Sequence, residues 1–526
     1  MMTDIFFQNL PENKLKSSCS ENLVERYLAF GSVQDTSLVR ENEDSHFLEL
    51  SYLAPFIKSP EARIVLTAAV LFSVKKECKD RFAIELIAAC AFWGSKKIKQ
   101  LAFNSVSIVC RTPAHLFIFI TTYLSLGGGW GRAFKRSISS WYSLQDPEKL
   151  AFLLTKEWSG EGWSHRDVFR MAHPKPSPSN NTLYRWIATG DCNMPLGSIT
   201  PDVLYVDAIQ HLKHLSAPEI AASLIESFDL PPEVVPSKFL NSPEVWRALV
   251  PGMGYVSILK NLRYLSSSGL LCDPLFREEL ILTLLDEKKI TRSKVHPLKL
   301  LNALLFYKRS RWAHLPSEMP PGISEDKRWE QEYPDLEQAL KNAFNLSFNS
   351  IPFIHKSLLI SFDVSSLMDS CPLGSSFLSC REASAFMSML YARRSKDPIF
   401  YASSPQGCLK IESRLFQESF SFALQQLNSL DFNKIDCSFP ILGAIEKNLF
   451  IDTFIIFTDS NPLSKKSLTF QAFELYKERV NPNAKLVVNS MRLSEAVSVS
   501  QDDPSYLGFS GFDVTASRII RNFVNT

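Results

Sequence analysis

The sequence lacks any C-x-x-C pair. Its ten cysteines (19, 78, 90, 110, 192, 272, 371, 380, 408 and 437) are scattered over 526 residues, which argues against a zinc finger or a dense disulfide scaffold and for free thiols in a reducing compartment. A secretory signal is not evident either, because Asp4 stands where such a segment carries positive charge and Pro11 soon interrupts it. The longest uncharged run, 112–131, reaches the length of a membrane span. It contains Pro113, His115, Thr121, Thr122 and three consecutive glycines, Gly127, Gly128 and Gly129, and so reads as a buried helix followed by a loop. Neither the phosphate-cradling G-x-x-x-x-G-K-[ST] nor the nucleophile elbow G-x-S-x-G occurs, which removes two large enzyme classes. His211 and His214 stand at i, i+3 without a convincing third ligand, and read as a surface or packed pair rather than zinc ligands. These absences describe a cytoplasmic protein, with a nuclear location also open, that binds rather than catalyses.

What is present is ordinary globular material: 45% hydrophobic and 21% charged residues, enough chain for more than one domain. The net charge is only +2, so a uniformly basic coat is excluded while a local basic surface is not. Two halves differ in periodicity. Up to about residue 315, apolar residues recur at helical spacing and several helices announce their starts: Thr112-Pro113, Ser242-Pro243, His296-Pro297, and Ser164 with Asp167 as a capping box. Many helices on short loops suggest a helical-repeat array. The stretches 174–182 and 230–243 read as long loops, and 315–326, with Pro316, Pro320 and Pro321, marks a change of organisation. Beyond it, SLLISFDV (357–364), TFIIFTD (453–459) and AKLVVNS (484–490) read as strands buried on both faces, with amphipathic stretches 381–393 and 467–480 between them. That alternation predicts a parallel sheet with helices on both sides and ligands at the C-terminal ends of the strands, where Asp363 and Asp459 fall.

Charge is unevenly placed. Residues 86–145 contain Lys96, Lys97, Lys99, Arg111, Arg132, Lys135 and Arg136 but no Asp or Glu, and 288–317 hold eight Lys or Arg and again no acid. At about 100° per residue, Arg132, Lys135 and Arg136 share one helix face, with Phe134, Ile138 and Trp141 on the opposite one. Arg166, Arg170 and His173 repeat the arrangement on the next helix, with Val168, Phe169 and Ala172 turned away. A helix of this kind docks by its apolar side and holds cations outward, and phosphate backbones are the natural partner, because neutralising them releases counterions. The alternative is a solvated face.

The segments CRTPAHLFIFI (110–120), WGRAFKR…W (130–141), GWSHRDVFRMAHPKP (162–176), SPEVWRALVPGM (242–253), ILKNL (258–262), VHPLKLLNALLFYK (295–308), LISFDVSS (359–366), IDCSFP (435–440), FIIFTD (454–459) and GFDVTASRIIRNF (511–523) occur in this order. Together they make the chain resemble the Ro/SS-A ribonucleoprotein autoantigens, the TROVE-domain proteins. The resemblance implies a TROVE ring of HEAT-like helical repeats (20–352) closed by a von Willebrand factor A-like doubly wound parallel sheet (353–526). It further implies a monomer within a small ribonucleoprotein, open to RNA-processing proteins. Its basic outer surface would bind Y-type small noncoding RNA, and its central hole the single-stranded 3′ ends of misfolded noncoding RNAs. The role would be RNA stability and quality control, without catalysis. Lys96, Lys97, Lys99, Arg111, His115, Arg132, Lys135, Arg136, Lys156, Arg166, Arg170 and His173 are the RNA-binding candidates. Lys156 and His173 match family residues for Y RNA recognition, whereas Gly160 stands in place of a family arginine.

The same resemblance implies a Mg²⁺ site built from a D-x-S-x-S loop, a threonine in a second loop and an Asp after a later strand. Here Asp363, Ser365 and Asp459 match, Leu367 replaces the second serine, and the threonine position falls on Ile435, with Asp436 beside it. A hard cation needs oxygen ligands, so this is a degenerate site. The competing reading of the whole chain is a protein-interaction scaffold that has lost Y RNA recognition.

Overall fold

The computed structural model describes residues 19–33, 37–38, 46–75, 79–190, 201–309, 333–374, 378–404, 407–430, 436–459, 467–492 and 503–525. The chain divides into two compact units, one of residues 1–33 and 43–253, the other of residues 34–42 and 254–526. No helix among the described residues is long and apolar enough to cross a membrane.

The first unit is a helical array: α1 (Cys19–Phe30), α2 (His46–Lys58), α3 (Ala62–Lys75), α4 (Asp80–Trp93), α5 (Lys96–Val109), α6 (Pro113–Ser125), α7 (Arg132–Ser143), α8 (Pro147–Lys156), a two-residue hairpin β1 (Ser159–Gly160) and β2 (Trp163–Ser164), α9 (His165–Ala172), α10 (Asn181–Thr189), α11 (Pro201–His214), α12 (Pro218–Phe228) and α13 (Pro243–Leu249). The predicted starts are observed. The Thr112 hydroxyl accepts from the His115 N–H at 3.3 Å ahead of Pro113. Ser164 and Asp167 close a reciprocal capping box on α9. The uncharged run 112–131 is indeed a helix and its following loop, with Leu116, Phe117, Phe119 and Ile120 fully buried. Strand structure was not expected in this half. The small hairpin forms because Glu161 and Gly162, at φ 51° and 78°, make the left-handed two-residue turn that matches strand twist.

At the centre, α4 is buried continuously from Phe82 to Ala91 and packs on α3, α5 and α6. Its one internal charge, Glu85, is held by the Tyr27 hydroxyl at 2.8 Å and Arg81 Nε at 2.9 Å, as a buried carboxylate requires. His165 is wholly buried between α6, α7 and the loop before the hairpin. Its Nε2 lies 3.1 Å from the Glu157 carbonyl, so that nitrogen carries the proton and Nδ1 accepts from the Tyr142 hydroxyl at 2.7 Å.

The second unit joins helices α14 (Tyr255–Ser267), α15 (Pro274–Leu285), α16 (Glu287–Ser293), α17 (Pro297–Arg309) and α18 (Pro334–Ser347) to a six-stranded sheet. Its strands are β3 (Leu358–Asp363), β4 (Ile399–Ser404), β5 (Gly407–Ile411), β6 (Thr453–Thr458), β7 (Lys485–Ser490) and β8 (Tyr506–Ser510), in the order β5-β4-β3-β6-β7-β8. The three predicted strands are β3, β6 and β7, the centre of the sheet, and they pair parallel, Ile360 with Ile455 and Ile455 with Val487. The expected parallel sheet is observed, with one addition at its edge, where β5 returns antiparallel to β4. A two-residue connection between β4 and β5 permits only a hairpin, not a crossover.

Helices α19 (Cys380–Arg394), α20 (Arg414–Gln417), α21 (Phe420–Asn428), α22 (Phe439–Glu446), α23 (Leu468–Arg479) and α24 (Val514–Asn525) complete the unit. One core cluster joins α22 and α23 to β3, β6 and β7. The pattern of 381–393 predicts an amphipathic helix, whereas α19 is buried on nearly every side. Arg381 is accommodated there by Asp369 at 2.7 Å and by the carbonyls of Leu427, Leu430 and Ser365. The boundary stretch 315–326 lies outside the described residues.

Burial holds the His165 imidazole at a pKa of about 3, and burial with the nearby Arg518, Lys299 and Arg521 does the same to His296, which sits 2.9 Å from Ser517 Oγ. Between pH 6.5 and 3 the unfolded chain therefore binds more protons than the folded one. Stability is full above pH 6.5 and falls as pH drops, by up to about 1.4 kcal/mol per pH unit for each histidine. Urea unfolding at pH 7 and pH 5 should show a lower midpoint at pH 5. Equal midpoints would contradict the buried neutral state of both rings.

Candidate functional site

The cationic helices are placed by what holds their opposite faces. Phe134, Ser137, Ile138, Trp141 and Tyr142 of α7 are buried. The Ser137 hydroxyl donates to the Phe103 carbonyl at 2.7 Å, and Trp141 Nε1 donates to the Cys110 carbonyl at 2.5 Å. Position 137 thus stands level with 103, and 141 with 110, so α7 runs parallel to α5. On its other side Tyr142 meets His165, and the Ser139 hydroxyl donates to the Ala172 carbonyl at 3.3 Å. Helix α9 therefore runs antiparallel to α7.

This register gathers the charge. Lys96, Lys97 and Lys99 lie at the start of α5, Arg132, Lys135 and Arg136 at the start of α7, and Arg170 and His173 at the finish of α9. The starts of α5 and α7 lie together, and the finish of α9 comes level with Ser139 in the middle of α7. Lys96, Lys97, Arg132, Arg136, Arg170 and His173 are exposed, and Lys99, Lys135 and Arg166 are half-buried. None of these nine side chains makes an ion pair within 4 Å among the described residues. Neither Ser95 nor Gly131 caps its helix with a side chain, so the first N–H groups of α5 and α7 point their partial positive charge toward the same end. His173 adopts a left-handed conformation at φ 49°; its backbone N–H caps the Phe169 carbonyl at 2.9 Å.

Arg166 is wedged by α10: a Cβ at Gly190 would lie 2.5 Å from its Nη2. The acid beside this stripe, Asp167, turns back to the Ser164 hydroxyl and N–H, which with Arg170 and Arg166 hold its carboxyl below the usual range.

Three other candidates have internal partners. The Arg111 guanidinium pairs with Asp80 and donates to the Ser73 carbonyl at 3.2 Å. His115 Nδ1 accepts from the Arg111 N–H at 3.3 Å, and burial, outweighing the pull of Asp80, lowers its pKa. Lys156 pairs with Glu233 at 2.9 Å, both partners well exposed, an interaction worth at most about 1 kcal/mol. The acid-free run is therefore not acid-free in space around Arg111, because Asp80 arrives from the start of α4. Gly160 lies in β1, where a Cβ would touch the Phe117 ring at 3.3 Å. His211 and His214, on α11, are both exposed.

Two aromatics stand beside the cationic helices without any compositional signal. Trp130, just before α7, meets Phe134 at 4.9 Å and Trp163 of β2 at 5.7 Å, each edge to face. Both tryptophans keep part of their rings in solvent. Their signal in the sequence was only their place beside Gly131-Arg132 and Ser164-His165.

In the sheet unit, Asp363 ends β3, nearly buried. Its Oδ1 accepts from the Ser365 N–H at 2.7 Å and its Oδ2 from the Thr458 hydroxyl at 3.3 Å. Burial raises its pKa and the Asp459 charge adds to this, while the Ser365 and Thr458 hydrogen bonds offset part of it. Asp436 accepts from the Ser438 N–H at 2.9 Å, and the neighbouring Cys437 thiol is pushed up to about 12, mainly by burial. Leu367 is 55% exposed and offers no oxygen, and Ile435 lies outside the described residues. Each Asp363 oxygen accepts one protein hydrogen, and Ser365 Oγ beside it is buried with no hydrogen-bond partner among the described residues. With Leu367 and Ile435 in place of two oxygen donors, the set falls short of what tight Mg²⁺ binding needs. Calorimetric titration with Mg²⁺ or Mn²⁺ should show no micromolar uptake; micromolar binding that disappears in Asp363→Ala would contradict this.

Comparison with known proteins agrees with this architecture. A TROVE domain is recognised over residues 31–192 and 232–319 and a Ro60 vWA domain over residues 357–524. The chain is 30% identical over 486 residues to the RNA-binding protein RO60 of Caenorhabditis elegans, covering 82% of this chain and 73% of that protein. It is 29% identical over 432 residues to the RNA-binding protein RO60 of Deinococcus radiodurans, covering 81% and 77% respectively. The crystal structure of the Deinococcus radiodurans Ro (RSR) protein superposes with a TM-score of 0.84 at 24% identity, over 96% of this chain and 99% of that one.

Proposed function

The chain belongs to the Ro60 family, and from that premise we propose that it is an RNA-binding protein whose contact surface is the cationic end formed by α5, α7 and α9. The observation that carries the reading is the hydrogen-bonded register of these helices, which brings separate Lys and Arg clusters together with two uncapped helix N-termini. Phosphates are recognised by such a combination of mobile cations and fixed N–H groups. Arg111, His115 and Lys156 are assigned to the scaffold, since each already has a partner in the fold.

The ligands we infer are Y-type small noncoding RNA and the single-stranded 3′ ends of misfolded noncoding RNAs, bound for RNA stability and quality control in the cytoplasm and without catalysis. Family membership supports this choice. Within it, single-stranded ends suit this surface better than Y RNA, because Gly160 replaces an arginine of the family's Y RNA motif and packs against Phe117.

Binding through phosphates makes affinity fall with salt, with a slope near 0.7 for each phosphate neutralised on a single strand. Filter binding of an RNA with a single-stranded 3′ tail should weaken at least about tenfold in Arg132→Glu/Arg136→Glu at about 0.1 M salt, with a salt slope lower by about 1–2. Lys156→Ala should change little. Unchanged affinity in the double variant would overturn the assignment of this surface.

A further inference from the structure

We propose that Trp130 and Trp163 form a stacking platform for unpaired bases at the edge of the cationic end. The proposal rests on the RNA-binding reading and adds to it a means of telling unpaired nucleotides from a phosphate chain alone.

The two indoles come from different elements. Trp130 closes the glycine-rich loop before α7, and Trp163 opens β2. They meet edge to face at 5.7 Å, and Trp130 leans on the buried Phe134, whose ring stacks on Tyr123 at 4.4 Å. The pair is thus fixed from beneath yet remains partly open to solvent. Around it the chain is stripped of side chains: a Cβ built at Gly129, Gly131 or Gly162 meets nothing within 4 Å. Planar ligands can approach there without displacing protein.

The electrostatics point to a nucleic acid rather than to an apolar partner. Arg132 is two residues from Trp130 and exposed, with Lys135 and Arg136 on the next turn. The acids at the hairpin are held by partners: Glu161 in its turn pairs with Arg81 at 3.2 Å, Glu157 accepts from the Ala114 N–H at 2.9 Å, and Asp167 accepts from the Ser164 hydroxyl and N–H. Aromatic rings beside unneutralised cations are the composition by which proteins hold single strands, stacking on bases while gripping phosphates, with little preference among the four bases.

The test compares a single-stranded oligoribonucleotide with an abasic ribose-phosphate oligomer of equal length, by fluorescence anisotropy on the full chain. The wild-type protein should bind the base-bearing strand roughly tenfold or more tightly. Trp130→Ala should erase that preference, leaving abasic affinity and the salt slope unchanged, and Trp130→Phe should restore most of it. Trp163→Ala should lose part of the preference. A wild-type protein that binds both oligomers equally overturns the platform while the phosphate-binding surface stands. So does a Trp130→Ala variant that loses both affinities in proportion, with a lowered unfolding midpoint, because that describes packing. Binding of neither oligomer overturns the RNA reading and the platform together.

Discussion

The docking of one twelve-residue helix decides the rest of the candidate site. Helix α7 has almost no choice of orientation: its apolar face is filled by Phe134, Ile138, Trp141 and Tyr142, and polar bonds from Ser137, Trp141 and Tyr142 lock it to α5 and α9. Buried hydroxyl and indole donors are costly when unpaired, so a slip of one residue or a quarter turn would strand three of them at once. The cations on the other face are therefore placed with the precision of a core, although they make no core contacts. That is how flexible Lys and Arg side chains come to form a defined surface.

Convergence of like charge has a cost in self-repulsion, and the fold distributes it. The cations at this end sit at helix starts, where they oppose the helix dipole, as well as at the α9 finish, where Arg170 and His173 complement it. An arrangement that is electrostatically uncomfortable alone is relieved by a polyanion. The sheet unit follows the opposite logic. There the acid that ends β3, Asp363, accepts from Ser365 and Thr458, and Asp436 before α22 accepts from Ser438. Arg381, buried in α19, anchors the loop after β3 from behind through the Ser365 carbonyl.

Much of this was legible in the residues because it depends on local rules. Caps at Thr112 and Ser164, the buried stripe of α7 and the three central strands follow from neighbours a few positions apart. The antiparallel β5 was not legible, since its five residues carry too weak an alternation to announce an edge strand. Helix α19 differs for another reason: its charged residues suggest exposure, yet Arg381 is held by Asp369 and by the carbonyls of Leu427 and Ser365 from distant segments, and Glu382 closes the helix's own cap. The surroundings of Arg111 show the same limit of a linear pattern. An acid-free stretch of sequence ends at a residue number, and Asp80 shows that space does not observe that limit. What no one-dimensional pattern contains is the relative direction of α5, α7 and α9, on which the convergence depends.

The most direct test of that convergence is backbone hydrogen–deuterium exchange with and without a single-stranded RNA, because the uncapped N–H groups at the helix starts are themselves reporters. Protection should appear at 96–99, 130–136 and 170–173 together, with Asp80, Arg111 and His115 unaffected. Protection confined to the sheet unit, or to only one of the three helix ends, would contradict the central claim that these ends form a single RNA-binding surface.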